Sequence, residues 1–410
     1  MRKIHLPPLV FAALLLLVAC TREQSLLVRE EANTSTEKQL EMERYLHLPP
    51  NSDNYALKLP NYLLALGMQP QPIDNGKATL GRVLFYDKNL SRDRSISCAS
   101  CHKQSLAFSD NEALSRGIEG RHSLRNAMPL SNVASVSAHY QGINGKEAPV
   151  FLWDNRAASI AELSKMAFGN ENEMGLTMPQ VVERVAALPY YSYLWEKSYG
   201  EQAITEARVL ECLSEFVKAM GSYNSPLDRS LEKAGGNINL TGLDTVVVSV
   251  YYDTITAIVK RRLPGFSNLE DDGRRLFVAK CTKCHSPVRP FQEVFEACNG
   301  LDMEYKDNGK GDLTKRGADN GVFKSPPLRN IALTAPYMHD GRFKTLEAVV
   351  EFYSTGVKDH PNLHATMRDE QGRPGFHFSP DDKKALLAFL HTLTDRTIAQ
   401  DQRFSDPILR

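Results

Sequence analysis

At about ten residues, the apolar run Leu9 to Val18 of this 410-residue chain is too short to cross a bilayer core as a helix, which needs roughly 20. No other stretch is apolar enough for a membrane span. Net charge is missing too: 49 Lys and Arg balance 49 Asp and Glu, which argues against nucleic acid or an anionic membrane surface as a main partner. Regular strand alternation is scarce, so a large sheet is not expected. Cysteine is sparse, seven in all (Cys20, Cys98, Cys101, Cys212, Cys281, Cys284, Cys298), yet four of them fall into two C-x-x-C pairs.

The amino-terminal residues read as an export signal. Arg2 and Lys3 precede the apolar run, which ends in Leu17-Val18-Ala19-Cys20. This ending resembles the lipobox of bacterial lipoproteins, in which the cysteine becomes the lipidated first residue of the mature chain. Residues 1–20 are therefore expected to be a lipoprotein signal and 21–60 a polar tether. The expectation is a periplasmic protein touching the membrane only through a lipid on Cys20. Thr21 and Arg22 contain no inner-membrane-retention aspartate, which favours the outer membrane.

In an exported chain the default use of cysteine is the disulfide. A disulfide framework gives no reason for a histidine after both pairs, and both have one: Cys98-Ala-Ser-Cys101-His102 and Cys281-Thr-Lys-Cys284-His285. This is the attachment signature of c-type haem. Two thiols three positions apart can each add to one vinyl group of a single porphyrin, and the adjacent imidazole then becomes an axial iron ligand. Zinc would need two further Cys or His ligands per site at finger or ribbon spacing, and none lies close by. A thioredoxin-like site would use one pair, not two. Two covalent haem c groups are expected. Cys212 lies in a helical stretch, Glu206 to Tyr223, and reads as a small buried residue, a disulfide with Cys298 being the alternative.

The two motifs lie 183 residues apart (98 to 281), so each is expected to head its own domain, at 61–240 and 265–398. The break is expected within Asn224 to Asn268. Helical signals recur. Ser379-Pro380-Asp381-Asp382 is a capped start leading into Leu386, Leu387, Phe389, Leu390 and Leu393. Gln180 to Leu188 and Glu201 to Val217 also read as helices, while Val246 to Tyr252 is strand-like only in composition. Gly117 to Gly145 and Asn299 to Ser325 read as long loops. The fold class is mainly α with long irregular loops.

The words around the haem motifs resemble those of the bacterial di-haem cytochrome c peroxidases and the related MauG enzymes of methylamine utilisation. They are Leu80-Gly-Arg-Val-Leu-Phe-Tyr86, Ala107-Phe-Ser-Asp110, Arg125-Asn-Ala-Met-Pro129, Trp153-Asp-Asn-Arg-Ala157, Glu173-Met174, Leu328-Arg-Asn-Ile331 and Thr334-Ala-Pro-Tyr-Met-His-Asp-Gly341. The resemblance runs from about Leu80 to Thr394. It implies two cytochrome c-like haem domains with a calcium ion near their interface.

Residue by residue, the resemblance implies that Glu173 is the acid/base group over a peroxide-binding first haem, with Glu171 as its spare. A carboxyl moves protons there if desolvation raises its pKa. Trp153 matches the tryptophan between the haems, and Asn126, Thr334 and Pro336 match calcium ligands, the last two through their carbonyls. In peroxidases of the family the position fourteen after His339 is a methionine on the second iron; in MauG it is tyrosine, as is Tyr353 here. Thr345 can cap a helix whose Leu346, Val349, Val350 and Tyr353 share one face, which turns Tyr353 inward. A phenolate favours oxidised over reduced iron, so it would lower that haem's potential. Met338, Met303 and Met367 are the other candidates. The removable distal histidine of the peroxidases is replaced by Ile118, which cannot ligate iron, and His122 reads as a solvated loop residue. The expected function is reduction of hydrogen peroxide at the first haem, with electrons from a periplasmic donor relayed by the second. MauG-like oxidation of a protein substrate and simple electron carriage by two haems are the alternatives.

Overall fold

A computed structural model describes residues 36–48, 54–65, 68–133, 151–200, 202–234, 262–285 and 295–409. The expected signal 1–20 with Cys20, and the run Val246 to Tyr252, lie outside these described residues. The chain is mainly helical, and no described helix is long and apolar enough to cross a membrane. Among the described residues the sheet is one antiparallel ribbon, β1 (Glu296–Cys298) on β2 (Val322–Lys324), with Ala297 opposite Phe323.

In the first half, the leading helix α1 (Asn75–Tyr86) is followed by α2 (Ile160–Gly169), α3 (Met178–Ala187), α4 (Tyr190–Tyr199) and the closing helix α5 (Glu206–Ala219). Two starts differ from the sequence expectation for a capping reason. Thr177 and Gln180 form a capping box that begins α3 at Met178, and the Thr205 hydroxyl accepts from Arg208 N–H, so α5 begins at Glu206. After α6 (Pro226–Lys233), the second half repeats the plan with a leading helix α7 (Asn268–Lys280) and a closing helix α9 (Pro380–Thr392). Between them α8 (Leu346–Glu351) runs into a wider π turn, Phe352–Gly356.

Leading and closing helices cross at a glycine in both halves. A β-carbon on Gly81 would lie 2.0 Å from the Cys212 carbonyl oxygen, and one on Gly273 would lie 1.8 Å from that of Ala385. Only glycine lets the backbones approach so closely. Each glycine opens the same word, Gly-Arg-x-Leu-Phe, at 81–85 and 273–277. The phenylalanines then pack on partners in the closing helices: Phe85 on Phe216 at 5.4 Å and Phe277 on Phe389 at 5.1 Å between ring centres. The arginines are buried and bonded. Arg82 Nε donates to the Ser405 carbonyl at 2.7 Å, and Arg274 Nε donates to Asp271 at 2.8 Å.

The two cores exchange segments. Tyr62, Leu63, Leu227 and Leu231 belong to the core of the second half, while Ile398 and Phe404 belong to that of the first. A buried ion pair fixes one crossing: Arg329 Nη1 reaches Asp228 at 2.9 Å, and the Tyr62 hydroxyl donates to the same carboxylate. A cation and an anion taken out of water together in this way tie distant segments firmly, because breaking either partner strands a buried charge.

Candidate functional site

Both C-x-x-C-H motifs have the same local geometry. The His102 N–H donates to the Cys98 carbonyl at 2.9 Å, and the His285 N–H to the Cys281 carbonyl at 2.8 Å, so each imidazole follows its first thiol by one helical turn. The Nδ1 atoms meet backbone carbonyls, His102 that of Phe108 at 2.8 Å and His285 that of Pro326 at 2.9 Å. A carbonyl can only accept, so Nδ1 carries the proton and Nε2 is left bare for a metal. Burial lowers the pKa of both rings and keeps them neutral, the ligating form. Burial pushes the thiols of Cys98 and Cys281 up to about 12. No disulfide forms among the described residues: Cys212 is buried beside the Tyr199 hydroxyl at 3.4 Å, and Cys298 beside His360 Nδ1 at 3.6 Å. The donor set thus fits two covalent haems.

A largely apolar cleft, partly open to solvent, holds the second motif. Cys281, Cys284, His285 and Tyr353 line it, as do Leu346, Val349 and Val350. The expected face therefore turns inward as a unit, although the helix widens at Phe352. Asn299 Nδ2 donates to the Tyr353 hydroxyl at 3.5 Å, and burial pushes that phenol up to about 12. Met338 and Met367 line the same cleft, whereas Met303 is 51% exposed.

Glu173 lies within electrostatic reach of the Cys98 and Cys101 thiols. Burial raises its pKa, opposed by Asn170, whose Nδ2 donates to Oε1 at 2.7 Å, and by the charge of Arg156. Glu171, in contrast, has a side chain 61% exposed and paired with Arg92 at 2.5 Å. Ile118 is fully buried, and its N–H donates to the Glu173 carbonyl at 3.2 Å. Gly117 permits this contact: a β-carbon there would fall 1.9 Å from the Asn172 carbonyl oxygen. His122 is exposed and its Nδ1 meets the Leu114 carbonyl at 3.2 Å.

Trp153 borders the same cleft as the second motif and donates from Nε1 to the Asn126 carbonyl at 2.9 Å. Asn126 uses both amide hydrogens on the Glu112 and Ala113 carbonyls, at 3.1 and 3.2 Å, which leaves Oδ1 as the acceptor for a cation. Thr334 and Pro336 line the cleft with it. Among the described residues no group of three His, Cys, Asp or Glu could hold a metal ion. A cation here would depend on amide and carbonyl oxygens and on water, a donor set suited to hard, flexible calcium.

Sequence reasoning passed over Arg125. Its Nη1 reaches Asp154, next to Trp153, at 2.5 Å, and its Nε reaches Asp307 at 2.6 Å. The guanidinium sits 5.6 Å from the centre of the Phe323 ring, which stacks on His339 at 3.9 Å. Arg125 adjoins Asn126 in a segment already singled out, but Asp307 is 182 residues away, and no local pattern announces it.

The family model described as di-haem cytochrome c peroxidase matches residues 75–235. The "Methylamine utilization protein MauG" of Methylorubrum extorquens is 32% identical over 327 residues, covering 78% of this chain and 79% of that protein. The "Cytochrome c551 peroxidase" of Nitrosomonas europaea is 29% identical over 328 residues, covering 79% of this chain and 81% of its own length. Among solved structures, a "MauG-like protein associated with microbial copper homeostasis" aligns with a TM-score of 0.64 and 26% identity, covering 88% of this chain and 98% of that one.

Proposed function

Because this chain belongs to the di-haem cytochrome c peroxidase family, we propose that it reduces hydrogen peroxide at the site of Cys98, Cys101 and His102, with Glu173 moving the proton. Membership brings two covalent haem c groups and oxidoreductase chemistry of the peroxidase kind. When bound, the first haem supplies the iron at which the peroxide O–O bond is reduced, held through His102 Nε2. The protein supplies the rest. A peroxide must shift a proton from its inner to its outer oxygen before the bond can break, and a carboxyl of raised pKa both takes and returns that proton. Asn170 fixes Glu173 Oε1, and Ile118 places an apolar side chain, not a ligand, beside the glutamate segment.

Cys281, Cys284 and His285 would hold the second haem, with Tyr353 as its oxygen ligand. Trp153, bordering that cleft, passes electrons between the two sites. Asn126, Thr334 and Pro336 would hold calcium, and Asn126 would then anchor Trp153 and the cation together. The haem units correspond to 61–240 and 265–398 with the exchanged segments added. A lipid on Cys20 would tether the protein on the periplasmic side, and its electrons would come from a periplasmic donor protein.

The observation that carries this reading is Glu173, half-buried within electrostatic reach of the Cys98 and Cys101 thiols and with its pKa raised by desolvation. Peroxide turnover with reduced cytochrome c should fall by roughly 10²–10⁴-fold in Glu173→Gln, the usual weight of general acid–base catalysis. Equal rates would remove the glutamate from the reaction.

Tyr353 in the second cleft favours a second reading, MauG-like oxidation of a partner protein. That reading predicts a peroxide-dependent mass change in a co-expressed protein, and none in any candidate would count against it. Plain electron carriage by two haems predicts two six-coordinate irons, so a high-spin ferric signal from the resting protein excludes it.

A further inference from the structure

The first haem site has a second row of aromatic neighbours, unrelated to Trp153. Tyr191 in α4 is buried and lies within electrostatic reach of Cys98. Its ring centre stands 4.8 Å from that of Tyr190, and the Tyr190 ring stands 5.4 Å from that of Tyr45. Tyr45 is 41% exposed. The row therefore leads, ring against ring, from the neighbourhood of Cys98 to solvent.

The hydroxyls give the row a chemistry. Tyr190 and Tyr191 both donate to one oxygen of Asp87, at 2.7 and 2.8 Å, and the Asn89 N–H donates to its other oxygen at 2.8 Å. Asp87 is buried. Two phenols in tilted contact on a shared carboxylate can be a purely structural knot. They are also what one-electron oxidation of tyrosine requires, because the oxidised phenol must release its proton and here a carboxylate stands within hydrogen-bond distance. Electron tunnelling falls off exponentially with separation, and these rings are in contact.

We propose that Tyr191, Tyr190 and Tyr45 carry oxidising equivalents from the first haem site to the protein surface, with Asp87 taking the phenol protons, so that a one-electron donor is oxidised at Tyr45 without use of the second haem. The proposal rests on the assignment of peroxide reduction to the first site. Reducing one hydrogen peroxide to two waters takes two electrons and two protons, so the chain works twice per peroxide. In each pass Tyr191 gives an electron toward the haem site and its hydroxyl proton to Asp87. Tyr190 refills Tyr191 with an electron while Asp87 returns that proton and receives the one from Tyr190. Tyr45 refills Tyr190 with an electron, Asp87 returns the proton to Tyr190, and Tyr45 releases its own to solvent. The donor restores Tyr45 by one electron, with a proton from water. Net, the donor is oxidised, peroxide is reduced, and the protons come from solvent.

The test treats the full-length holoprotein with hydrogen peroxide and a nitrone spin trap, maps the adducts by peptide mass spectrometry and follows peroxide consumption in parallel. The expected result is an adduct on Tyr45 that is lost in Tyr190→Phe and in Tyr191→Phe. Each Phe variant leaves one phenol on Asp87, and Tyr45→Phe alters an exposed side chain and should also abolish the adduct at that residue. Peroxide consumed with no adduct on Tyr45, or an undiminished adduct in Tyr190→Phe and Tyr191→Phe, overturns the route alone. Failure to consume peroxide at all overturns the functional assignment, and the route with it.

Discussion

The two haem halves are built alike and finished differently. Each has a leading helix with Gly-Arg-x-Leu-Phe, a closing helix whose backbone lies on that glycine, and a histidine oriented by a backbone carbonyl. What differs is the group brought near each motif. The first half brings a half-buried carboxyl, Glu173, whose backbone carbonyl accepts from the Ile118 N–H; the second brings a phenol, Tyr353, from a widened turn. A shared scaffold thus fixes attachment, and short irregular segments assign the role. Loops are where function is usually varied on a constant frame.

The contrast is broken most directly at Tyr353. Tyr353→Met should raise the potential of the second haem by on the order of 0.1 V or more, since axial ligands set haem potentials over about 0.8 V. Spectroelectrochemical titration of wild type and variant measures it, and an unchanged potential would place another ligand on that iron. Next in size, Gly81→Ala and Gly273→Ala should each cost about 3 kcal/mol, because the new β-carbon meets a carbonyl oxygen that cannot withdraw. Thermal or denaturant unfolding of the holoprotein reports both, and a tolerated substitution in one half would end the structural analogy.

The pH dependence sharpens the difference on the catalytic side. Glu173 has its pKa raised by burial first, so the acid limb of peroxide turnover should lie above the usual carboxylate value of about 4.3, and Glu173→Gln should abolish it. Stability runs the other way. A carboxyl with its folded pKa raised contributes stability that is fully present below the unfolded pKa of about 4.3 and is lost as pH rises through the folded one. Melting of wild type and Glu173→Gln should therefore converge in acid and separate at neutral pH, with the variant the more stable. The smallest effect concerns the closing helices. Ser379 caps α9 in a reciprocal box with Asp382, while Thr205 caps α5 through its hydroxyl. Removing either to Ala should cost about 1 kcal/mol, with Ser379→Ala the larger loss.

The attachment motifs were legible in the sequence because porphyrin chemistry dictates their spacing. Tyr353 was legible as a face: Leu346, Val349, Val350 and Tyr353 turn inward together even though the helix widens at Phe352. The repeated Gly-Arg-x-Leu-Phe word is also plain in the sequence, and attention to the haem motifs alone passes over it. Other features have no local signature. Arg125 bridging Asp154 and Asp307, Trp153 bonded to the Asn126 carbonyl, and three tyrosines in a row arise when segments far apart in the chain meet. The crossing of Tyr62 and Leu227 into the second core belongs to the same class, since burial there depends on contacts with residues that composition cannot identify.

The return of residues 398–404 to the first core has a consequence for biosynthesis. Phe404 packs against Phe108 at 6.0 Å, and buried Arg82 bonds to Ser405, 323 residues further along. Chains emerge in order from the amino terminus, so the half made first waits for a strap made much later. Until that strap is made, Phe108 lacks its ring contact with Phe404 and the Arg82 guanidinium lacks its acceptors on Ser405, so the first core closes last.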